Sequence, residues 1–293
     1  MDWNQWLLSH EIPLRLGFFF GTFALIALWE GLAPRRMLSI GRGLRWASNI
    51  GIVILNSLLL RLLFPAAAVG VAAAVGVAAA AQAGGWGLFN IYPLGGWPEV
   101  ALSVIAMDLA IYLQHVLVHA VPALWRLHRV HHADLDYDVT TGARFHPLEI
   151  VLSMLIKFAT ILVLGPPVVA VLIFEVLLNA SSMFNHGNIR LPAGVDRLLR
   201  RVLVTPDMHR VHHSVEDDEA NSNFGFALSW WDRLFGTYRE QPRAGHRDMA
   251  LGIRGWRNPQ DVDRLPGMLS LPFRGKVDDY VINRRRWDKP DAS

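Results

Sequence analysis

The sequence contains no cysteine and few charged residues. Without thiols the protein forms neither disulfides nor thiolate metal sites, which excludes iron–sulfur clusters and a cysteine nucleophile. Charged residues make up 18% of the 293 positions and hydrophobic residues 52%, a balance that favours a membrane protein over a soluble domain. The net charge is only +3, and no basic run with interleaved aromatics is present, so nucleic acid is not a predicted partner.

A basic n-region is also missing from the N-terminus. The first thirteen residues include acids but neither Lys nor Arg, so we expect an uncleaved first span at Leu14–Leu32 rather than a signal peptide. Further apolar stretches follow at 46–83, 99–120, 150–164 and 168–184. Since a transmembrane helix needs about 20 apolar residues, they predict an all-α integral membrane helical bundle of about four spans or membrane hairpins.

Two of these stretches have special features. Pro65 interrupts the second stretch, so we expect a break near Phe64 and Pro65. The last two stretches flank Gly165 and have roughly 15–17 residues each, at about 1.5 Å per residue, which predicts a hairpin whose arms fall short of a ~30 Å bilayer core.

The arginines predict an orientation. Arg35, Arg36, Arg42 and Arg45 follow the first span, whereas the loop at 83–98 has no Lys or Arg. The positive-inside rule therefore places the Arg35 side in the cytoplasm. The third span and the hairpin then return the chain to that side, which predicts a cytoplasmic cap of His-rich helices.

Three short motifs hold eight of the twelve histidines. They are His115-x-x-x-His119, His128-x-x-His131-His132 and His209-x-x-His212-His213. Residues three and four apart lie on one face of a helix, so each motif presents its imidazoles as a row. Three rows supply more ligands than one ion needs, which indicates a dinuclear metal centre. Imidazole binds Fe, Zn, Cu and Ni, so spacing alone does not select the metal.

Two further histidines are candidate ligands. His186 ends a polar stripe on an apolar arm, formed with Glu175, Asn179 and Ser182 at helical spacing, and such a stripe faces protein or water rather than lipid. His146 precedes the hairpin and either binds metal or hydrogen-bonds Glu149. His10 and His246 stand alone and are expected to be ordinary surface residues.

Asp108 is an ionisable residue inside a predicted span, and it lies on the same helical face as His115. It either orients a ligand imidazole, as carboxylates behind metal-bound histidines do, or pairs with an arginine. Together with Glu175 and Asn179, it is a candidate catalytic residue behind the ligands.

The combined motifs resemble the fatty acid hydroxylase/sterol desaturase superfamily. RFHPLE, NHGNIRLP and the closing HRVHHSVEDDEANSNFGFALSWWDRLFGTY strengthen the resemblance, which covers about residues 100–240. It implies three regions: N-terminal transmembrane helices at 1–99, a catalytic domain at 100–240 and a polar cytoplasmic tail at 241–293. It also implies a membrane protein, expected in a bacterial inner membrane.

The activity implied by the resemblance is O₂-dependent hydroxylation or desaturation of a lipid C–H bond, with a sterol, a fatty acyl chain or a related lipid as substrate. Two Fe ions form the implied cofactor, and a separate cytochrome b5-, ferredoxin- or reductase-type protein donates electrons. The ligands expected on this basis are His115, His119, His128, His131, His132, His146, His186, His209, His212 and His213.

The sequence departs from the superfamily's motifs at one position, and the histidines also suit two other kinds of protein. Some hydroxylases of the superfamily have another H-x₃-H motif, but the residue four before His186 is Ser182, so His146 or water would complete one ion's coordination. A membrane zinc hydrolase would also use histidine ligands to activate water. A haem-binding electron carrier would use paired axial histidines.

Overall fold

A computed structural model describes residues 6–7, 9–63, 71–277 and 280–282. These residues are helical, joined by loops and four isolated β-bridges. The helices of the first two thirds are α1 (Glu11–Leu32), α2 (Arg42–Leu63), α3 (Val71–Gly84), α4 (Leu88–Ile91), α5 (Gly96–Ala120), α6 (Pro122–His132), α7 (Pro147–Leu164) and α8 (Val168–Asn185).

Five helices in the described part of the chain are long and apolar enough to cross a membrane: α1, α2, α5, α7 and α8. The prediction of an all-α integral membrane bundle is confirmed, with five such helices against about four expected. The predicted break near Phe64 and Pro65 lies outside the described residues, between the end of α2 and the start of α3.

The hairpin of α7 and α8 differs from the prediction in length. Each arm has 18 residues, because each helix extends past the purely apolar stretch, and at about 1.5 Å per residue this gives about 27 Å. Helices of 18 residues lie within the range of about 17–25 residues for transmembrane helices, so each arm is long and apolar enough to cross a membrane. Gly165 ends α7 in the left-handed conformation at φ +59, and a Cβ there would lie 2.4 Å from the carbonyl oxygen of Trp86. Only glycine permits this turn.

The membrane helices pack through a core shared by α3, α5, α7 and α8. Met107 of α5, Ile161 of α7 and Phe174 of α8 are buried together. Ala74 and Ala78 of α3 are fully buried against them, so one face of this helix of small residues packs on the bundle. α1 packs on α8 around Ile26.

The cap is built from short helices: α9 (Ala193–Leu199), α10 (Pro206–His212), α11 (Asp217–Ala220), α12 (Trp230–Leu234), α13 (Gly245–Asp248), α14 (Pro259–Val262) and α15 (Leu265–Ser270). A buried ion-pair network connects it to the bundle. Arg45 of α2 contacts Asp134 and Asp138, and Arg144 contacts Asp134 and Asp263. Because buried charges are costly unless paired, this network fixes the segment that follows α6 against α2.

Candidate metal centre

Nine buried histidines form two adjacent groups. Within each group the candidate ligand atoms lie within 4.8 Å of one another. The first group consists of His115, His119, His128, His132 and His212, and the second group consists of His131, His186, His209 and His213. The ring centroids of His132 and His213, one from each group, are 4.6 Å apart.

The two H-x-x-H-H motifs contribute to the groups in opposite ways. In α6, the outer pair His128 and His132 belongs to the first group and His131 to the second. In α10 and its C-terminus, the outer pair His209 and His213 belongs to the second group and His212 to the first. Each motif therefore spans both groups, since positions i+3 and i+4 share a helix face with i but lie on opposite sides of it, about 100° apart around the helix axis.

The helix ends place these rows. α5 carries His115 and His119 in its last two turns, and His186 directly follows α8. α6 begins with Pro122 and α10 with Pro206, a favoured residue at the first helical position. Thr205 accepts a hydrogen bond from the Met208 N–H at 3.4 Å and so caps α10.

The imidazoles converge through their Nε2 atoms. The Nε2–Nε2 distance is 2.9 Å between His115 and His212 and 3.2 Å between His119 and His132 in the first group. In the second group, His186 Nε2 is 3.2 Å from both His131 Nε2 and His209 Nε2. Two nitrogens bound at about 2.1 Å and at right angles to one ion would be about 3.0 Å apart, so these spacings suit shared cations.

Unpartnered nitrogens support the same conclusion. His128 Nε2 and His213 Nε2 are buried and have no hydrogen-bond partner. A buried polar atom without a partner is costly, and a cation bound in each group would satisfy the lone pair that belongs to that group. The residues present therefore fit two metal ions, one in each group.

In three ligands of the first group, the opposite ring nitrogen is held by an acceptor in a loop of the cap. The Nδ1–H of His115 donates to Phe224 O at 2.8 Å, and that of His212 donates to Ser222 O at 2.7 Å. His119 Nδ1 is 3.2 Å from Asn221 Oδ1. Such partners fix the tautomer, so that each Nε2 presents its lone pair to the centre of the group.

The acceptor loop is itself anchored by a carboxylate. Asp232 accepts hydrogen bonds from the backbone N–H groups of Phe224 at 2.7 Å and Gly225 at 2.8 Å. Burial raises the pKa of Asp232 above its usual value to about 6. The hydrogen bonds from Thr237, Gly225 and Phe224 oppose this rise but do not cancel it. The WDRLFGTY string therefore supports the ligands indirectly.

His128 has a different partner from the other ligands. Its Nδ1 lies 2.6 Å from Glu149 Oε1 on α7, and both side chains are buried. A carboxylate behind an imidazole makes it a stronger donor to a metal ion. Sequence reasoning considered Glu149 only as a partner for His146, so this role was missed.

Burial keeps six of the candidate ligands outside the membrane helices neutral. It lowers the pKa of His186 to about 4, against a hydrogen bond to Ser182 O that raises it. Burial, followed by the proximity of other imidazoles, also lowers the pKa of five others well below its usual value: His131, His132, His209, His212 and His213. Neutral imidazole is the form that binds metal.

His146 is not brought to either group. Its Nδ1 accepts a hydrogen bond from the Leu148 N–H at 3.2 Å, and its Nε2 lies 3.3 Å from Leu269 O. It is the N-cap residue of α7, directly before Pro147. Both ring nitrogens therefore have partners away from the centre. Ser182, which stands where some hydroxylases have a further histidine, donates a hydrogen bond to Gly142 O at 2.8 Å.

The three predicted residues behind the ligands have other partners. Asp108 accepts from the backbone of Ala227 and Leu228 at 3.2 and 3.1 Å and from Trp231 Nε1 at 2.8 Å, and thereby holds the 227–231 loop. In the described contacts it meets neither an imidazole nor an arginine.

Glu175 and Asn179 lie deeper along α8. Glu175 forms an ion pair with Lys157 at 2.6 Å, and the amide of Asn179 donates to the backbone oxygen of Glu175 at 2.8 Å.

The expectation that His246 is a surface residue was wrong. It is buried, with Nε2 2.9 Å from Gln241 Oε1 and 3.7 Å from Asp207 Oδ2, because α13 folds over α10.

Comparison with known proteins supports the resemblance inferred from the motifs. Residues 100–237 match the family model described as fatty acid hydroxylase, so the resemblance is confirmed over this segment. An ornithine lipid hydroxylase of Rhizobium tropici is 29% identical over 91% of this chain and 78% of its own length. Human alkylglycerol monooxygenase is 28% identical over 53% of this chain and 33% of its own length.

A more distant relative is also named as a hydroxylase. Rat cholesterol 25-hydroxylase is 24% identical over 50% of this chain and 48% of its own length. The chain thus spans most of the rhizobial relative but half or less of the two mammalian ones. No solved structure matches the chain.

Proposed function

We propose that this chain, a relative of the fatty acid hydroxylases, is an integral membrane oxidoreductase that uses two iron ions and O₂ to hydroxylate a lipid C–H bond. The observation that carries the proposal is the pair of buried groups of five and four imidazoles at the ends of membrane helices. The named relatives are hydroxylases and monooxygenases, which favours hydroxylation over desaturation.

The first group would hold one ion and the second group the other. When bound, the iron pair supplies the redox chemistry that activates O₂ for attack on a C–H bond. Hydroxylation of a lipid RH by O₂ consumes two electrons and two protons and yields ROH and water. The proposed source of these electrons is a separate carrier of the cytochrome b5 or ferredoxin type or its reductase.

The residues of the chain prepare this site in three ways. The loop from Asn221 to Phe224 and the carboxylate of Glu149 orient the imidazoles before any ion binds. Burial of all nine rings excludes water, which protects a reactive oxidant from side reactions. His115 and His119 lie in the last two turns of α5 and His186 directly follows α8, so we expect an alkyl chain in the bilayer to approach the centre along these helices.

The proposed location is a bacterial inner membrane with the metal centre on the cytoplasmic side. The arginines after α1, which include Arg35 and Arg42, support that orientation through the positive-inside rule. Arg35 also pairs with Asp207 of α10 at 3.0 Å, so this basic segment and the cap lie on the same side.

Isotope labelling tests the proposed reaction. Protein expressed with iron and purified in detergent receives a reductant, a lipid extract and ¹⁸O₂, and the lipids are analysed by mass spectrometry. We expect a lipid product that carries one ¹⁸O atom and is absent when His115→Ala protein is used. Product oxygen derived from H₂¹⁸O, with no consumption of O₂, would instead support the zinc hydrolase.

A further inference from the structure

A cavity of about 570 Å³ lies next to the first group, between α5 and the cap. One wall comes from the membrane helix α5 and includes Leu113 and Val116. The rest comes from the cap and includes Asp218, Asn221 and Arg239. Its volume falls within the range of about 300–1,000 Å³ that is usual for small-molecule sites. An apolar membrane wall and a charged cap wall together suit an amphiphile.

The charged part of the cavity has both signs. Arg239 Nη1 lies 2.9 Å from Asp218 Oδ2, and Arg243 also contacts Asp218. The side chains of Asp218 and Arg239 are 24% and 29% exposed, so both charges remain accessible from the cavity. A molecule that enters here therefore meets a carboxylate and a guanidinium side by side.

The cavity wall also contacts the metal ligands from behind. Asn221, Ser222 and Phe224 line the cavity, and they are the residues that hold Nδ1 of His119, His212 and His115. Because the imidazoles turn Nε2 away from this wall, a molecule in the cavity lies behind the ligands and not at the ions. The cavity is therefore placed to hold a part of the lipid other than its reacting carbon.

We propose that this cavity binds the polar head of a zwitterionic lipid, with the chain leaving along Leu113 and Val116. The inference rests on the proposed function for the idea that the lipid is the substrate. A head with one anionic and one cationic group gives Arg239 and Asp218 each a new partner. A purely anionic head would lie next to the carboxylate of Asp218, and a purely cationic head would lie next to the guanidinium of Arg239, so each would meet a like charge.

Lipid retention tests the site without any turnover. Full-length protein purified in a maltoside detergent is incubated with equal amounts of phosphatidylethanolamine, phosphatidylglycerol and diacylglycerol of identical chains, and bound lipid is counted by native mass spectrometry. We expect the zwitterionic lipid to be retained about tenfold over the other two, the effect of roughly one charge-assisted contact. Equal retention of the three lipids, or a preference for phosphatidylglycerol, would overturn the proposal.

Variants locate the binding in the cavity. Val116→Trp fills the cavity and should abolish lipid retention, whereas Leu117→Trp, at an exposed position outside the cavity and one residue further along α5, should leave retention unchanged. Arg239→Gln and Asp218→Asn should each reduce the preference, and Arg239→Lys should restore most of it. Unchanged retention in Val116→Trp would contradict the site. Iron content and ¹⁸O incorporation are measured on the same preparations, so loss of the reaction is distinguished from loss of lipid selectivity.

Discussion

The Nε2 atoms of His115 and His212 lie 2.9 Å apart, although 97 positions separate the two residues in the sequence. One belongs to the membrane helix α5 and the other to the cap helix α10. An ion bound between them would join the bundle to the cap directly. Metal binding and folding of the cap should therefore be coupled, as in other proteins whose ligands come from distant segments.

The first prediction follows from the way in which the histidines of each H-x-x-H-H motif are divided between the two groups. His132→Ala removes a ligand from the first group only, and His131→Ala removes one from the second group only. Each variant should fall from about two irons per chain to about one, and the two should differ in Mössbauer spectrum, since ligand loss weakens the affected site. His10→Ala, at an exposed position, serves as control. Identical spectra for the two variants would contradict the division into two groups.

Glu149→Gln tests the carboxylate behind His128. The amide keeps the size of the side chain but removes the charge that strengthens the imidazole, so iron affinity should fall about 10–100-fold. The rate of iron loss to a chelator measures this change. Glu240→Gln alters an exposed carboxylate and should behave like the unmodified protein. Equal rates for both variants would show that Glu149 does not support the ligand.

His146→Ala separates a capping role from a metal-binding role. Because His146 accepts the Leu148 N–H and caps α7, its loss should destabilise the protein by about 0.5–2 kcal/mol. Iron content should stay near two per chain, whereas His186→Ala should lower it. A thermal melt with parallel iron analysis checks both values. Loss of one iron in His146→Ala would return this residue to the ligand set.

The lowered pKa values predict how the metal-free protein responds to acid. An unfolded histidine binds a proton near pH 6.5, whereas burial lowers the pKa of His186 in the folded protein to about 4. The unfolded state therefore binds more protons in this window, and stability falls as pH decreases from 6.5 to 4, by up to about 1.4 kcal/mol per pH unit for each such imidazole. Thermal midpoints of metal-free protein at pH 7.5 and 5.5 test this, and equal midpoints would contradict it.

Asp108→Asn tests whether Asp108 is structural. The change removes charge from an acceptor of three hydrogen bonds that hold the 227–231 loop, so unfolding should become easier by about 1.5–3 kcal/mol. Trp231→Phe removes one of the three and should cost less. Chemical denaturation in detergent compares the variants. An Asp108→Asn protein of normal stability that fails to turn over would instead support the catalytic role predicted from the sequence.

The histidine rows and the apolar spans could be predicted from the sequence because helical periodicity places both. The division of the rows between two groups could not, since HRVHH reads the same in both motifs. Which histidine meets which group depends on the direction from which α6 and α10 approach, and that is set by packing of the cap.

The hydrogen-bond partners of the ligand imidazoles could not be predicted from the sequence for a related reason. Backbone oxygens of Ser222 and Phe224 hold two imidazoles, and every residue has such an oxygen, so no residue type marks the position. Asp108 was an informative charge in an apolar span, but its partners are also mostly backbone groups. The capping contact of His146 was not predicted from the sequence, because histidine is not among the usual capping residues.

The count of iron ions and their ligands tests the central claim most directly. X-ray absorption at the iron edge, with elemental analysis of protein expressed in iron-replete medium, should show about two irons per chain, each surrounded mainly by imidazole nitrogens. Protein that holds a single ion, or that fills both groups with zinc under these conditions, would contradict the proposed di-iron centre.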